Sequence, residues 1–167
     1  MTSFGAKGLS EHLPLLLDIL NDVLRNPSFD AQQVEKVRTE IMTDLHERAN
    51  DTRRTASRRF YELAYPEQHP YHWSQLGYPE TIQRITRDDL VAFHETYVAP
   101  QGMVIVIVGG IKAREAAQIA ADAFGNWEQG RPERAPLSDA PPLDARREKR
   151  ETIDDKSQSS LMLGWPG

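Results

Sequence analysis

The chain has 167 residues, of which 39% are hydrophobic and none is cysteine, and its formal net charge is -5 at pH 7. These values suit one globular domain and exclude a disordered protein, a disulfide framework and a thiolate zinc site, so any metal would need histidine and carboxylate ligands. The acidic balance argues against nucleic acid as a partner. No apolar run approaches the roughly 18 residues of a transmembrane helix, so we expect a soluble protein without a membrane partner. The absence of cysteine suits both cytoplasm and periplasm, so the compartment stays open.

The first predicted element is a helix over residues 10–25. Ser10 can cap it, and Pro14 fits only because it lies in or beside the first turn. Apolar residues at spacings of three and four predict a stripe that faces the core: Leu13, Leu16, Leu17, Leu20, Val23 and Leu24.

A long helical segment is predicted to begin at Ala31, after Asp30 as N-cap. Asn50 and Asp51 interrupt its pattern, so we expect a break followed by a second helical piece that ends near Tyr65. The first piece carries an apolar stripe that should face a core: Val34, Val37, Ile41 and Leu45.

Three acidic residues, Glu40, Asp44 and Glu47, lie on the edge of this stripe. Asp44 follows Val37 by seven residues, so the two side chains project in nearly the same direction. One interpretation is a solvated flank of the helix, since charged residues are usually exposed. The other is a remnant metal ligand bordering buried surface.

Residues 66–78 are rich in proline and aromatic residues and predict an ordered loop. His69 and His72 lie within it, but Pro70 prevents a helix there and the spacing matches no common zinc motif. We therefore assign both histidines a structural or surface role.

Three further elements are predicted before residue 125. Thr86 and Asp89 form a capping box that opens a helix through Tyr97. The β-branched run at 103–108 predicts a strand buried on both faces, and residues 112–124 predict another helix. Gly109 and Gly110 follow the strand, but the residues around them match no nucleotide-binding motif.

Residues 128–147 are rich in proline and charge and predict an extended linker. Residues 148–153 and 159–163 predict two short strands, which cannot bury a core by themselves.

An ordered series of short motifs covers nearly the whole chain and resembles the insulinase/pitrilysin family of zinc metallopeptidases, which includes processing peptidases. The motifs are Asn26-Pro27-Ser28-Phe29, Tyr65-Pro66, His69-Pro70-Tyr71, Gly77-Tyr78-Pro79-Glu80-Thr81-Ile82, Ile85-Thr86-Arg87-Asp88-Asp89-Leu90, Phe93-His94, Gly109-Gly110, Phe124-Gly125-Asn126-Trp127 and Gln158-Ser159-Ser160-Leu161-Met162-Leu163-Gly164.

The resemblance implies an α+β fold, with helices packed on one face of a mainly antiparallel sheet. It implies a processing-peptidase-like half-domain that is incomplete at both ends. Residues 1–127 would be the C-terminal part of a first half-domain, 128–147 a linker, and 148–167 the first strands of a second half-domain.

Catalytic members carry zinc on an H-x-x-E-H helix and on a later glutamate, with another glutamate seven residues before that ligand. This chain has no histidine pair at that spacing. The resemblance places Val37 and Asp44 at the two glutamate positions, so Asp44 is expected to be a degenerate metal-ligand position. Shifting the register by one turn would offer Glu40 and Glu47 instead, but it would misplace the downstream motifs.

A catalytic zinc needs about three protein ligands and a nearby general base. The chain offers at most Asp44, so we expect no catalytic or cofactor-binding residue, no cofactor and no peptidase activity alone, although catalytic members hold zinc. Two interpretations stay open: part of a working metallopeptidase, or a non-catalytic homologue that pairs with an active half-domain or subunit around a peptide. A third is a binding module that uses the aromatic loop, residues 65–78.

Overall fold

The computed structural model describes residues 2–128, 130, 133, 137, 139, 140, 142 and 144–165. In these ranges the α-helices are α1 (Leu13–Arg25), α2 (Ala31–Ala49), α3 (Thr52–Ala64), α4 (Pro79–Arg84), α5 (Arg87–Tyr97) and α6 (Ala113–Phe124). Short 3-10 turns occupy Ser10–His12 and Pro70–His72. None of the helices described is both long and apolar enough to span a bilayer.

The expected α+β fold is wrong for the described part of the chain, which contains helices and no strand. Residues 103–108, 148–153 and 159–163, which were expected to be strands, form no regular element there. A strand needs a ladder of backbone hydrogen bonds to a neighbour. The described residues give these segments no such neighbour, so their β-branched composition does not produce a sheet.

The expectation that 103–108 is buried on both faces is also wrong. Val104, Val106 and Val108 are 83%, 78% and 93% exposed. Met103 and Ile107 are partly buried against a helical core. The segment thus has the alternation of an extended chain with one apolar face packed and the other open to solvent.

The chain divides into two compact units. The first comprises Met1–Asp30 and Thr86–Glu133, and the second comprises Ala31–Ile85 and Arg134–Gly167. The predicted division into residues 1–127, 128–147 and 148–167 concerns half-domains and a linker rather than compact units, and it stays a prediction. Several residues of the predicted linker lie outside the described ranges.

In the first unit, α1 packs against α6. Leu17 and Leu24 of the predicted stripe are buried, and they form a core cluster with Phe124 and Trp127. His94 of α5 donates from Nε2 to the Leu24 carbonyl oxygen, at 2.7 Å. The predicted capping box of α5 is confirmed: the Asp89 amide donates to Thr86 Oγ1 at 3.2 Å, and the Thr86 amide donates to Asp89 Oδ2 at 2.7 Å.

In the second unit, α2 packs against α3 and α4. The break between α2 and α3 is confirmed, since α2 ends at Ala49 and α3 begins at Thr52. The expectation that the α2 stripe faces a core is wrong for Val37, which is 49% exposed, and no described side chain of α2 is fully buried. Instead, α2 is attached to the end of α4 by Arg38, whose Nη2 donates to the Ile85 carbonyl oxygen at 2.6 Å.

Residues 144–165, here called the C-terminal segment, lie along α3. Arg147 donates to the Leu63 carbonyl oxygen at 3.4 Å, and Glu151 pairs with Arg59. Further along, the hydroxyl groups of Ser160 and Thr52 are 2.9 Å apart. The segment therefore follows α3 toward its N-terminus between Arg147 and Ser160.

Candidate functional site

Asp44, the predicted degenerate ligand position, lies on α2 and is hydrogen-bonded to two arginines. Its Oδ1 accepts a hydrogen bond from Arg48 Nε at 2.8 Å and from Arg54 Nη1 at 3.4 Å. The hydrogen bond from Arg48 lowers the pKa of Asp44 below its ordinary value, against a smaller opposing effect of desolvation. Asp44 is therefore an ionised carboxylate held by guanidinium groups.

The second arginine comes from the other side of the helix break. Asp51 caps α3, and its Oδ1 accepts from the Arg54 amide at 2.9 Å. The same backbone hydrogen bond lowers the pKa of Asp51. Arg54 Nε also lies 3.7 Å from Asp51 Oδ2, so this one side chain contacts an acid on each side of the break.

The other acids of α2 are placed differently. Glu40 and Glu47 are exposed, and among the described residues neither is within ion-pair distance of a basic group. Val37, at the position where the resemblance places the earlier of the two glutamates, cannot bind a metal or accept a proton. The acidic face of α2 therefore contributes ion pairs between Asp44 and two arginines, and no acid–base pair.

The described residues do not fit a zinc ion. No group of three or more histidine, cysteine, aspartate or glutamate side chains is close enough to hold a metal within the described ranges. A catalytic zinc needs about three such ligands and an open position for water. Asp44 Oδ1 accepts from the guanidinium groups of Arg48 and Arg54, and these positive charges would repel a zinc ion. Whether Asp44 descends from a ligand position stays a prediction.

The two loop histidines make hydrogen bonds to the backbone. His69 is only 3% exposed, its Nδ1 accepts from the Tyr71 amide at 3.2 Å, and its ring stacks on Tyr65 with centroids 4.6 Å apart. His72 Nδ1 donates to the Tyr65 carbonyl oxygen at 2.8 Å. Each histidine thus uses its Nδ1 to fix the loop, as a structural role requires.

Sequence reasoning did not identify Arg48 and Arg54 as partners of Asp44, or Asp51 as the cap of α3. Asp44 and Arg48 have the i,i+4 acid-to-base spacing that favours an ion pair on one helix face, so this pair had a visible signal. Asp51 after a helix break is also a common N-cap residue. Arg54 had no such signal, because its approach to Asp44 depends on how α3 follows α2.

A second polar network joins α3 to the C-terminal segment. Arg59 pairs with Glu62 at 2.6 Å and also with Glu151. Arg58 lies 3.8 Å from the other oxygen of Glu151. The hydrogen bond from Arg59 lowers the pKa of Glu151 and fixes the segment on the helix.

Two apolar faces remain exposed. Val104, Val106 and Val108 form one in the first unit. In the second unit, Leu161 is 91% and Leu163 is 90% exposed, whereas the preceding residue, Ser160, is hydrogen-bonded to Thr52 of α3. Contiguous exposed apolar residues on a folded protein commonly mark a contact surface.

Comparison with known proteins gives consistent matches. The chain is 30% identical to the mitochondrial-processing peptidase subunit beta of Neurospora crassa over 139 residues, which are 83% of this chain and 28% of that protein. It is 26% identical to the cytochrome b-c1 complex subunit 1 of Rattus norvegicus over 77% of this chain and 26% of that protein. The chain therefore spans little more than a quarter of the length of these relatives.

A solved structure shows the same fold. The peptidase M16 inactive domain from Pseudomonas fluorescens aligns with a TM-score of 0.67 at 24% identity, over 77% of this chain and 31% of that one. The family model of the insulinase family, peptidase family M16, matches residues 1–70. The model of the peptidase M16 inactive domain matches residues 84–167, about half of the sequence. The chain therefore belongs to the insulinase family of peptidases, M16, in which it resembles the inactive domains.

Proposed function

We propose that this chain is a non-catalytic M16 domain that pairs with a second peptidase-like half-domain or subunit and helps to enclose a peptide. The observation that carries the proposal is the state of the two positions on α2. Val37 has no ionisable group, and Asp44 is hydrogen-bonded to Arg48 and Arg54. Val37 can therefore neither bind a zinc ion nor take a proton from its water, and the Asp44 carboxylate is already bound by two guanidinium groups.

The exposed apolar faces support the pairing. The valine face of residues 104–108 would be costly to leave in water, at about 25 cal/mol for each square ångström of apolar surface. In the described residues, the amides of this segment donate to no backbone carbonyl. An open apolar face with free amides suits a packed protein partner better than solvent.

The relatives agree with an assembly role. The proteins from Neurospora crassa and Rattus norvegicus are both named as subunits. A subunit that lacks a working site can still supply half of an enclosing wall. By this proposal, residues 1–127 and 148–167 belong to successive half-domains joined by 128–147.

A second function is favoured by the short coverage of the relatives. Because the chain spans 28% of the processing-peptidase subunit, the H-x-x-E-H motif of a complete enzyme could lie on another stretch of polypeptide. This chain would then be a scaffold piece of a zinc metallopeptidase that hydrolyses peptide bonds.

Activity of the purified chain tests the non-catalytic assignment. We expect no cleavage of a quenched fluorogenic peptide library, with or without added zinc. Cleavage that a chelator abolishes and zinc restores would contradict it. The coding sequence upstream of Met1 separates the two functions, because an H-x-x-E-H motif there would favour the metallopeptidase.

Association tests the pairing. The chain is mixed with a catalytic M16 subunit from the same organism, and the complex is measured by size-exclusion chromatography with light scattering. We expect Val106→Asp to abolish the complex, because it places a charge on the exposed valine face. Ala117→Asp on the exposed side of α6 is the matched control and should leave it intact. Equal complex formation by both variants would refute this interface.

A further inference from the structure

The helix break between α2 and α3 is surrounded by four charged residues, here called the Asp44 cluster: Asp44, Arg48, Asp51 and Arg54. Asp44 Oδ1 accepts from Arg48 at 2.8 Å and from Arg54 at 3.4 Å. Arg54 in turn lies 3.7 Å from Asp51. The cluster is thus one connected network that begins on α2 and ends on α3.

The charges of the Asp44 cluster cancel. Two carboxylates and two guanidinium groups sum to zero, so the cluster provides no net negative field that would attract a divalent cation. A metal at Asp44 would have to displace both arginines, and the described ranges contain no group of three or more ligand side chains to hold it. The site therefore disagrees with the zinc that catalytic members carry.

Arg54 is the link across the break. At the break, the Asn50 amide donates to the Glu47 carbonyl oxygen and the Asp51 amide to the Arg48 carbonyl oxygen, both at 3.1 Å. These bonds close the end of α2 but do not reach α3. The Arg54 side chain reaches back to Asp44, while its own amide is held by Asp51.

We infer that Arg48 and Arg54 have taken over, at Asp44, the charge-neutralising role that a metal has in catalytic relatives, and that the resulting cluster fastens the start of α3 to the end of α2. Asp44 is accordingly a positioning residue for the helix break. This inference does not depend on a partner subunit, so it stands or falls separately from the proposed pairing.

Hydrogen exchange of the full 167-residue chain, followed by mass spectrometry, tests the fastening role. In Asp44→Asn and in Arg54→Gln, we expect the amides of residues 50–55 to exchange about two- to fivefold faster, the range expected for an exposed ion pair. The double variant should exchange less fast than the product of the two single effects predicts, because both changes break the Asp44–Arg54 contact. Glu47→Gln, on the exposed surface of the same helix, is the matched control and should match the unmodified chain.

Equilibrium dialysis against zinc alone tests whether Arg48 and Arg54, rather than a metal, neutralise the charge of Asp44. We expect the unmodified chain and Asp44→Asn to retain the same amount of zinc at micromolar metal. One zinc per chain that Asp44→Asn loses would overturn the inference. Exchange at the unmodified rate in both single variants, or additive acceleration in the double variant, would overturn it as well.

Discussion

Arg59 of α3 is ion-paired with Glu151 of the C-terminal segment, 92 residues later in the chain. The side chains are 27% and 32% exposed, so water screens the pair only in part. Glu62 holds the same guanidinium from the other side at 2.6 Å, and the two acids together raise the pKa of Arg59. The pair is the main charged attachment of this segment to the helix in the described residues.

The Glu151 pair predicts a pH-dependent stability. Arg59 lowers the pKa of Glu151 in the folded chain below the ordinary value of 4.5, so the unfolded chain binds more protons between the two values. The contribution is present above pH 4.5 and is lost as the pH falls through the folded pKa. Glu151→Gln should therefore lower stability near neutral pH, by at most about 1 kcal/mol, and the difference should shrink in acid. Urea unfolding at several pH values measures this.

Glu148→Gln is the control for that experiment. Glu148 pairs with Arg146 and Arg150, each two residues away in the sequence. Such close neighbours also meet in the unfolded chain, so the change should barely alter stability. Equal effects of the two substitutions would contradict a specific attachment through Glu151.

Gly164 provides a second, steric test of the same contact. A Cβ at Gly164 would lie 2.9 Å from Cζ and 3.1 Å from Cε2 of Phe60 on α3. Gly164→Ala should therefore destabilise the chain by about 1 kcal/mol, at the low end of the cost of overpacking, because the ring must shift. Phe60→Leu in the same chain should remove most of that penalty. Gly5→Ala, where no atom lies within 4 Å, is the neutral control. Chemical denaturation compares it with Gly164→Ala, Phe60→Leu and the double variant.

Local signals in the sequence predicted the helices well. The capping residues Thr86 and Asp89 give α5 its start, and Asn50-Asp51 gives the break before α3, because both act through the backbone within a few residues. The three-residue and four-residue spacing also identified Leu17 and Leu24 as core.

Non-local relationships were not predictable in this way. The run 103–108 has the composition of a buried strand, but strand formation depends on a neighbour that the described residues do not supply. Val37 belongs to the apolar stripe of α2 but is half exposed. Periodicity shows which residues share a helix face, but it does not show whether another element covers that face. The contact of Arg54 with Asp44 depends on the path of the chain at the helix break.

His69 gives a prediction about the aromatic loop. Its Nδ1 accepts from the Tyr71 amide, and the residue is buried. His69→Phe removes the acceptor and leaves a polar group unpaired, so we expect a loss of about 1–3 kcal/mol. His69→Asn restores an acceptor two residues before the amide and should lose less, because only the ring stacking on Tyr65 disappears.

Thermal unfolding of the His69 variants with and without zinc adds a second measurement. If the histidine has a structural role, zinc should leave the unfolding temperature of the unmodified chain unchanged. A rise with zinc that both His69 variants lose would show that the loop binds metal, contrary to the arrangement of His69 and His72.

Leu15 and Leu17 lie two residues apart on α1 and differ strongly in burial, and the pair gives the sharpest test of the first unit. Leu17 is 4% exposed and belongs to the core cluster, whereas Leu15 on the same helix is 57% exposed. Leu17→Ala removes buried methyl groups and leaves a cavity beside Phe124, so it should cost about 2–5 kcal/mol. Leu15→Ala makes the identical chemical change at an exposed position and, because alanine favours helix slightly, should stay within about 0.5 kcal/mol of the unmodified chain. Denaturant unfolding followed by circular dichroism compares the two, and similar losses would show that the Leu15 face of α1 is also covered in solution.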